Sequence, residues 1–512
     1  MFCHFYRKNR FVSKYLLAFV VVSFLFVLVT CTNVRPQEIV VLVEAPIGDI
    51  DPGRAITAYG LKISRLTHEP LVSLDTEDGH PRMELLHHLE NSEPLTFILH
   101  LRSNVRFSDG SLVEAADVAW TIEDQRRNFA PFAAKWKNLQ EIQVLSKTSL
   151  KLRFSEARPT LLSDLDIGVV RRPTKIGTTS RLGAGPFVVE SHTHERIVLQ
   201  RNPFYYKGIP PVPRVVFQTV EEENIRALLM IAGHADVAQN NISPLLLPAL
   251  EHLPHQKGPS WTLTYIGFNL TVPQLADARV RRALAMAVDR KAIIQARFRE
   301  AAQLADSVIP PHHHAHAAGL AGISFDPQAA ARLLDEAGYM ANPNTGIRFS
   351  LEYKTSSNPV RVSIARVIAD SWRKIGIDTR VRSLEWGVFF ADVKQRRFHV
   401  LGLQMPEIGV PDILYDFFHS SNIPSPQRPD GANRWGYADS QVDTWLDRTR
   451  VTMNATMRMH LFVQIQEKLA SDLPIFPLWF EENWVFLSTR IREYKLLPNA
   501  RFSSLARVRL EL

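Results

Sequence analysis

The sequence predicts an α/β chain, of the mixed α+β kind, on three observations. Apolar runs with the two-residue alternation of strands recur between stretches with the 3.6-residue periodicity of helices, through most of the chain. A length of 512 residues exceeds what one hydrophobic core serves, so two or three domains are expected. The 46% hydrophobic and 22% charged content is that of a soluble globular protein, with no internal repeat and no low-complexity stretch beyond one histidine run.

The first element is an export signal. "RKNRFVSK" supplies basic residues, and "YLLAFVVVSFLFVLV", Tyr15 to Val29, follows as an unbroken apolar run. At fifteen residues it is short of the roughly 20 that a spanning helix needs. The run ends in "LVTC", which resembles the lipobox of bacterial lipoproteins and makes Cys31 the expected lipidation site; Thr30 departs from the small residue usual before that cysteine. Residues 1–30 are then a lipoprotein signal peptide. Removing Arg7, Lys8, Arg10 and Lys14 takes the formal charge from +8 to +4, which points to no nucleic-acid partner. Cys3 and Cys31 are the only cysteines, so the mature chain has no internal disulfide and depends on core burial.

A short polar tether leads into a strand-like "IVVLVEAP". "LTFILHLR" alternates as a half-buried strand does, and an Asp109-Gly110 turn precedes an amphipathic helix through Val118 and Ile122. "ARVRRALAMAVDRKAII" reads as a helix with Val280, Ala283, Leu284, Ala287 and Val288 on one face. "SFDPQAAARLLDEAGY" has Asp326 as N-cap, Pro327 at the first helical position and Gly338 as stop. "PVRVSIARVIADSWRKIGI" then leads into a strand, "DTRVRSLEW". No catalytic motif of the GxSxG, HExxH or GxxxxGK[ST] type occurs, so no enzyme is expected; "DTEDG" at 75–79 lacks calcium-loop spacing and reads as a turn.

These segments, in this order, resemble the family 5 solute-binding proteins of ABC importers, which bind oligopeptides, dipeptides or nickel. The resemblance rests on "PLTFILHLRSNVRFSDGSLVEAADVAWTIE", "GAGPFVVES" with "IVLQRNPFYYKG", "GHADVA", "YIGFNLTVPQLADARVRRALAMAVDRKAI", "FDPQAAARLLDEAGY", "KIGIDTRVRSLEWGVFF" and "DLPIFPLWFEENW", nearly the length of the mature chain. It implies a two-lobed periplasmic-binding-protein-like fold that closes on its ligand, with an inserted subdomain in lobe 1. Lobe 1 would take residues 31–65, the insertion 66–179, then 180–262 and 486–512; lobe 2 would take 263–485. "IGFNLT" is expected at one hinge crossing and "NWVFLST" near the other.

The resemblance also implies site residues. Proline alignment places Glu407, in "LQMPEIGVPDILYDFF", on the aspartate that bonds a peptide's α-amino group in peptide-binding relatives; Asp412 and Asp416 are alternatives, and Gln404 replaces the family's Trp. Lys354, beside Thr355 at the position of a carboxylate-binding arginine, is a candidate for the opposite ligand end. Trp386 and Asn269 are further cleft candidates. His312, His313, His314 and His316 in "PPHHHAH" are weak metal candidates: imidazole suits nickel or zinc, but neighbours on one loop rarely converge, and the loop is expected on the surface of lobe 2. The implied function is capture of a small solute, a peptide or similar, by a monomer lipid-anchored outside the cytoplasmic membrane, for an ABC permease and its ATPase, without cofactor. A membrane-surface ligand sensor and a nickel binder stay open as alternatives.

Overall fold

The computed structural model describes residues 37–93, 95–128, 133–173, 181–240, 242–243, 246–299, 301–405 and 407–511, and Ile39–Glu511 form one contact-linked unit. The signal segment and Cys31 lie outside the described residues.

Three sheets organise that unit. A seven-stranded sheet forms the heart of lobe 1 and joins strands far apart in sequence: His255–Gly258, Asn483–Leu487, Val237–Gln239, Glu38–Val43, Arg214–Thr219, Arg196–Arg201 and Phe187–His192, in that spatial order. Glu38–Val43 is central, parallel to Val237–Gln239, and its run of valines and isoleucine suits a strand covered on both faces. An antiparallel four-stranded sheet, Leu86–Glu93, Thr96–Leu101, Ser149–Phe154 and Leu139–Ser146, is packed by the helix Ala115–Asn128 around its own core. The alternation in "LTFILHLR" is real: Phe97, Leu99 and Leu101 are buried, while Ile98 and His100 are partly exposed.

The six-stranded sheet of lobe 2 has a core on each face. Strands Phe349–Ser356, Ile377–Leu384 and Val400–Met405 run parallel, so their C-terminal ends share one rim, where open α/β sheets place their ligands. Helices enter from that rim with caps the sequence supplies: Asn358 accepts from the Val360 and Arg361 amides ahead of Pro359–Arg373, and Glu385 from the Gly387 and Val388 amides ahead of Trp386–Lys394. Asp326 caps Pro327–Glu336 by accepting from Ala329 N–H, and Gly338 ends that segment at φ +89°.

Two expectations change. "ARVRRALAMAVDRKAII" is two helices, Ala278–Met286 and Arg290–Phe298, because Asp289 accepts from the Ala292 amide and starts a new helix. "IGFNLT" is not a hinge crossing: Ile266–Phe268 lie inside the strand Leu263–Phe268 of the second sheet. The chain instead crosses through 259–262, and returns at Glu482, between strands Ile475–Glu481 and Asn483–Leu487. The Asn483 side-chain amide holds this crossing by donating to the carbonyls of Pro259, Leu497 and Pro498.

Candidate functional site

Between the two lobes lies a cavity of about 550 Å³, within the size range of small-molecule sites. The lobe 1 side supplies Arg65, Lys135, Arg158 and Asp166; the lobe 2 rim supplies Glu407, Asp412 and Asp416 just beyond the strand Val400–Met405. A void of about 30 Å³ near Arg290 has room for water only.

Arg501, from the C-terminal segment, ties the walls together. Its Nε donates to Glu407 Oε1 at 2.8 Å, and its Nη1 donates to Asp75 at 3.0 Å and Asp166 at 3.1 Å. Asp166 is also paired with Arg65 at 3.2 Å. Burial pushes Arg501 down, but Glu407, Asp166 and Asp75 outweigh it and hold the guanidinium well above its ordinary value. Burial likewise opposes the charge of Asp166, and Arg65 with Arg501 reverses the balance, leaving its carboxyl below the usual range. Glu407 reaches Arg501 from a left-handed backbone, φ +51°, in a residue type that rarely adopts it.

With Glu407 thus engaged, Asp412 and Lys135 stand in the cavity without an ion pair among the described residues, as do Asp416 and Arg450. Asp412 is half-buried, and one of its carboxylate oxygens has no hydrogen-bond partner among the described residues. Desolvation raises its pKa to about 6 against the opposing pull of Arg458 and Arg450. Opposite, the Lys135 ammonium makes no ion pair among the described residues; burial lowers its pKa, opposed by Asp164 and Asp166. Asp164 itself is committed to Arg158 at 3.0 Å.

The structure brings Glu407 and Asp412 into the cavity and leaves Trp386, Lys354 and Asn269 out of its lining. Lys354 is a framework residue: its buried ammonium donates to Asp392 at 2.8 Å and to the Arg397 carbonyl at 2.6 Å. Asn269 is buried too, donating to the Arg396 and Phe398 carbonyls and accepting from Thr271. Trp386 opens a helix instead of closing a strand, and is 48% exposed.

The histidine loop is not a free surface loop. His313 is buried, with Nδ1 accepting from the Ala315 amide at 3.1 Å and Nε2 facing the Gly409 carbonyl at 3.2 Å, which makes it the neutral Nε2–H tautomer. His314 donates both its backbone N–H and Nδ1–H to the Asp78 carbonyl at 3.0 Å, across the lobes. The His314 ring lies between those of His313 and His80, with centres 4.3 and 4.0 Å away. Gly79 permits this approach: a Cβ there would sit 2.4 Å from His313 Nε2. His316 donates to the Ile309 carbonyl and His312 is exposed, so the four imidazoles do not converge, and among the described residues no group of three or more potential ligands gathers for a metal.

Sequence reasoning missed Arg501 and Lys135. Arg501 is 94 residues from Glu407 and 426 from Asp75, and nothing local marks either residue.

The profile described as bacterial extracellular solute-binding proteins, family 5 Middle, matches residues 82–424. The di/tripeptide-binding protein 3 of Pseudomonas aeruginosa (strain UCBPP-PA14) is 24% identical over 452 residues, 79% of this chain and 82% of that protein. The glutathione-binding protein GsiB of Escherichia coli O1:K1 / APEC is 23% identical over 493 residues, 91% of this chain and 93% of that one. Among solved structures, NikA from Brucella suis in complex with Fe(III)-EDTA superposes with a TM-score of 0.82 at 20% identity, covering 93% of this chain and 100% of that one. AppA from Bacillus subtilis in complex with a nonapeptide gives 0.75 at 20% identity, with 93% and 99% covered. Two lobes on separate sheets with a cavity between them are the fold of these proteins, and with two thirds of its length matched by the family profile, this chain belongs to the family 5 bacterial extracellular solute-binding proteins.

Proposed function

We propose that the protein captures a small zwitterionic solute, a short peptide or similar compound, and delivers it to an ABC permease and its ATPase. One observation carries this reading: a cavity of about 550 Å³ with an unmatched carboxylate, Asp412, on one wall and an unmatched ammonium, Lys135, on the other. An ammonium on the solute pairs with Asp412 and a carboxylate with Lys135, each as a charge-assisted hydrogen bond. Di- and tripeptides and glutathione, after which the relatives are named, have both ends. Binding closes the lobes because contacts from both walls exist together only in the closed state. No bond is made or broken, and the chain works as a monomer held outside the cytoplasmic membrane by lipid on Cys31.

Calorimetry with a panel of di- and tripeptides and glutathione tests the ligand class. Asp412→Asn is expected to weaken binding by about 1–3 kcal/mol, the scale of a charged hydrogen bond. N-terminal acetylation of the peptide is expected to do the same; acetylated and free peptides binding alike would sink the Asp412 assignment. Cys31→Ala is expected to release the protein from membranes or stall its precursor, and unchanged lipid labelling would remove the anchor.

A further inference from the structure

One helix of lobe 1 has an apolar outer face that nothing among the described residues covers. Helix Glu223–Ile231 buries Ala227 and Met230 in the core it shares with Leu42 and Ala238 of the seven-stranded sheet. On its other side Ile225, Leu228 and Ile231, each three residues apart, are 49%, 63% and 43% exposed. The solvent side of a surface helix ordinarily carries charges. Here the only ionisable residue from Asn224 to Gly233 is Arg226. Its buried side chain turns inward and donates to the Val220 and Glu221 carbonyls at 2.6 and 2.7 Å. Single exposed leucines are ordinary, but an uncharged apolar stripe over two turns marks a contact surface.

The occupant follows from where the chain enters lobe 1. Just before the helix, the Val220 amide donates to the Val43 carbonyl; just after it, the Asp236 amide donates to the Val40 carbonyl. The helix therefore runs back along strand Glu38–Val43, and Ile231 stands towards the end where that strand begins. Only six residues separate Glu38 from Cys31, the proposed site of lipid attachment. The steps from Cys31 to Glu38 reach at most about 25 Å, and a helix with its side chains is about 10–12 Å across. The lipid and the helix face can thus meet one surface, and the short tether keeps lobe 1 beside it. Tethering raises the local concentration of lipid at the face, so three side chains suffice where an untethered chain would dissociate.

We propose that Ile225, Leu228 and Ile231 insert into the membrane surface, so that lobe 1 rests on the bilayer through this helix. The inference rests on lipid attachment at Cys31 and goes beyond it by assigning the folded chain a lipid-binding face.

The test is fluorescence of the mature chain purified from membranes, carrying Leu228→Cys labelled with nitrobenzoxadiazole. The labelled chain is placed in vesicles of phosphatidylethanolamine and phosphatidylglycerol, without permease. Lipid blocks the Cys31 thiol and no cysteine follows it, so the introduced thiol alone takes the label. Blue-shifted emission that spin-labelled lipid quenches is expected. Met340→Cys, at a lobe 2 position of similar exposure (68%), is expected to show neither the shift nor the quenching. Adding Ile231→Asp to Leu228→Cys is expected to abolish the quenching, and all these positions are exposed, so the core is left intact. A labelled chain that fails to float with the vesicles overturns the anchor at Cys31 and this contact with it. Flotation without quenching at Leu228→Cys overturns the membrane contact alone, and so does quenching that Ile231→Asp leaves unchanged. A blue shift that spin-labelled lipid does not quench also overturns it, because another protein copy would then cover the face.

Discussion

At the scale of single residues, the site is decided by which charges are already matched. Glu407 was legible in the sequence as a carboxylate just past a strand in a family motif, yet its charge is taken by Arg501. Asp412, five residues on, which the motif offered only as an alternative, has a buried carboxylate oxygen without a partner among the described residues. Its raised pKa fixes a sign. Only the ionised carboxylate pairs with an ammonium, so affinity for a cationic solute end is expected to approach its full value about one pH unit above that pKa. It then falls up to tenfold per unit as pH drops below about 6. Calorimetry at pH 7.5 and 5 checks this, and Asp412→Asn should flatten the profile. For Lys354 and Asn269, polarity at a rim position does not reveal whether a side chain turns outward or donates to neighbouring carbonyls and carboxylates, as both do here.

At the scale of elements, local chemistry was the reliable guide. Asp326, Pro327 and Gly338 mark a helix because cap, first-turn proline and left-handed glycine each satisfy backbone groups locally. Asp326→Ala is expected to cost about 0.5–2 kcal/mol, read as a lowered denaturation midpoint. The histidine loop was conspicuous for the wrong reason, because its partner, residues 78–80, lies more than two hundred positions away. Its role is to join the lobes with neutral imidazoles. His313 is pushed down to about 4, chiefly by desolvation and then by His314, with the Gly409 carbonyl and Asp78 opposing and His80 adding to the depression. His314 is lowered by burial, with His80 and Arg458 adding and Asp78 opposing. A depressed histidine pKa stabilises this arrangement above the ordinary value near 6.5, and the contribution is lost as pH falls towards 4. At pH 5 the loss for His313 alone is about 2 kcal/mol. His313→Phe and His314→Phe are expected to reduce the drop in thermal midpoint between pH 7 and 5; an identical drop would remove the imidazoles from the linkage.

At the scale of the whole molecule, the lobes are joined by two crossings and by polar ties that no local pattern announces. The Ile408 amide donates to the Trp261 carbonyl at 2.9 Å, His314 to Asp78, and Arg501 binds Glu407 on one lobe while holding Asp75 and Asp166 on the other. The two Arg501 ends are not equivalent. Asp75 and Asp166 are buried, whereas the Glu407 side chain is about one-third exposed, so its pair with Arg501 is worth at most about 1 kcal/mol after solvent screening. A tie of that size biases closure without locking it. Glu407→Gln removes only the lobe 2 end and leaves Arg501 with two carboxylates, so the fold should persist while the ligand-free lobes spend more time apart. Small-angle scattering is expected to give a larger radius of gyration for ligand-free Glu407→Gln than for wild type, with saturating solute restoring the wild-type value. Arg501→Gln should expand the molecule further and lower its thermal midpoint, because it strands Asp75 and Asp166 as well. A ligand-free radius unchanged in both variants would show that the crossings and the histidine loop hold the lobes together without Arg501.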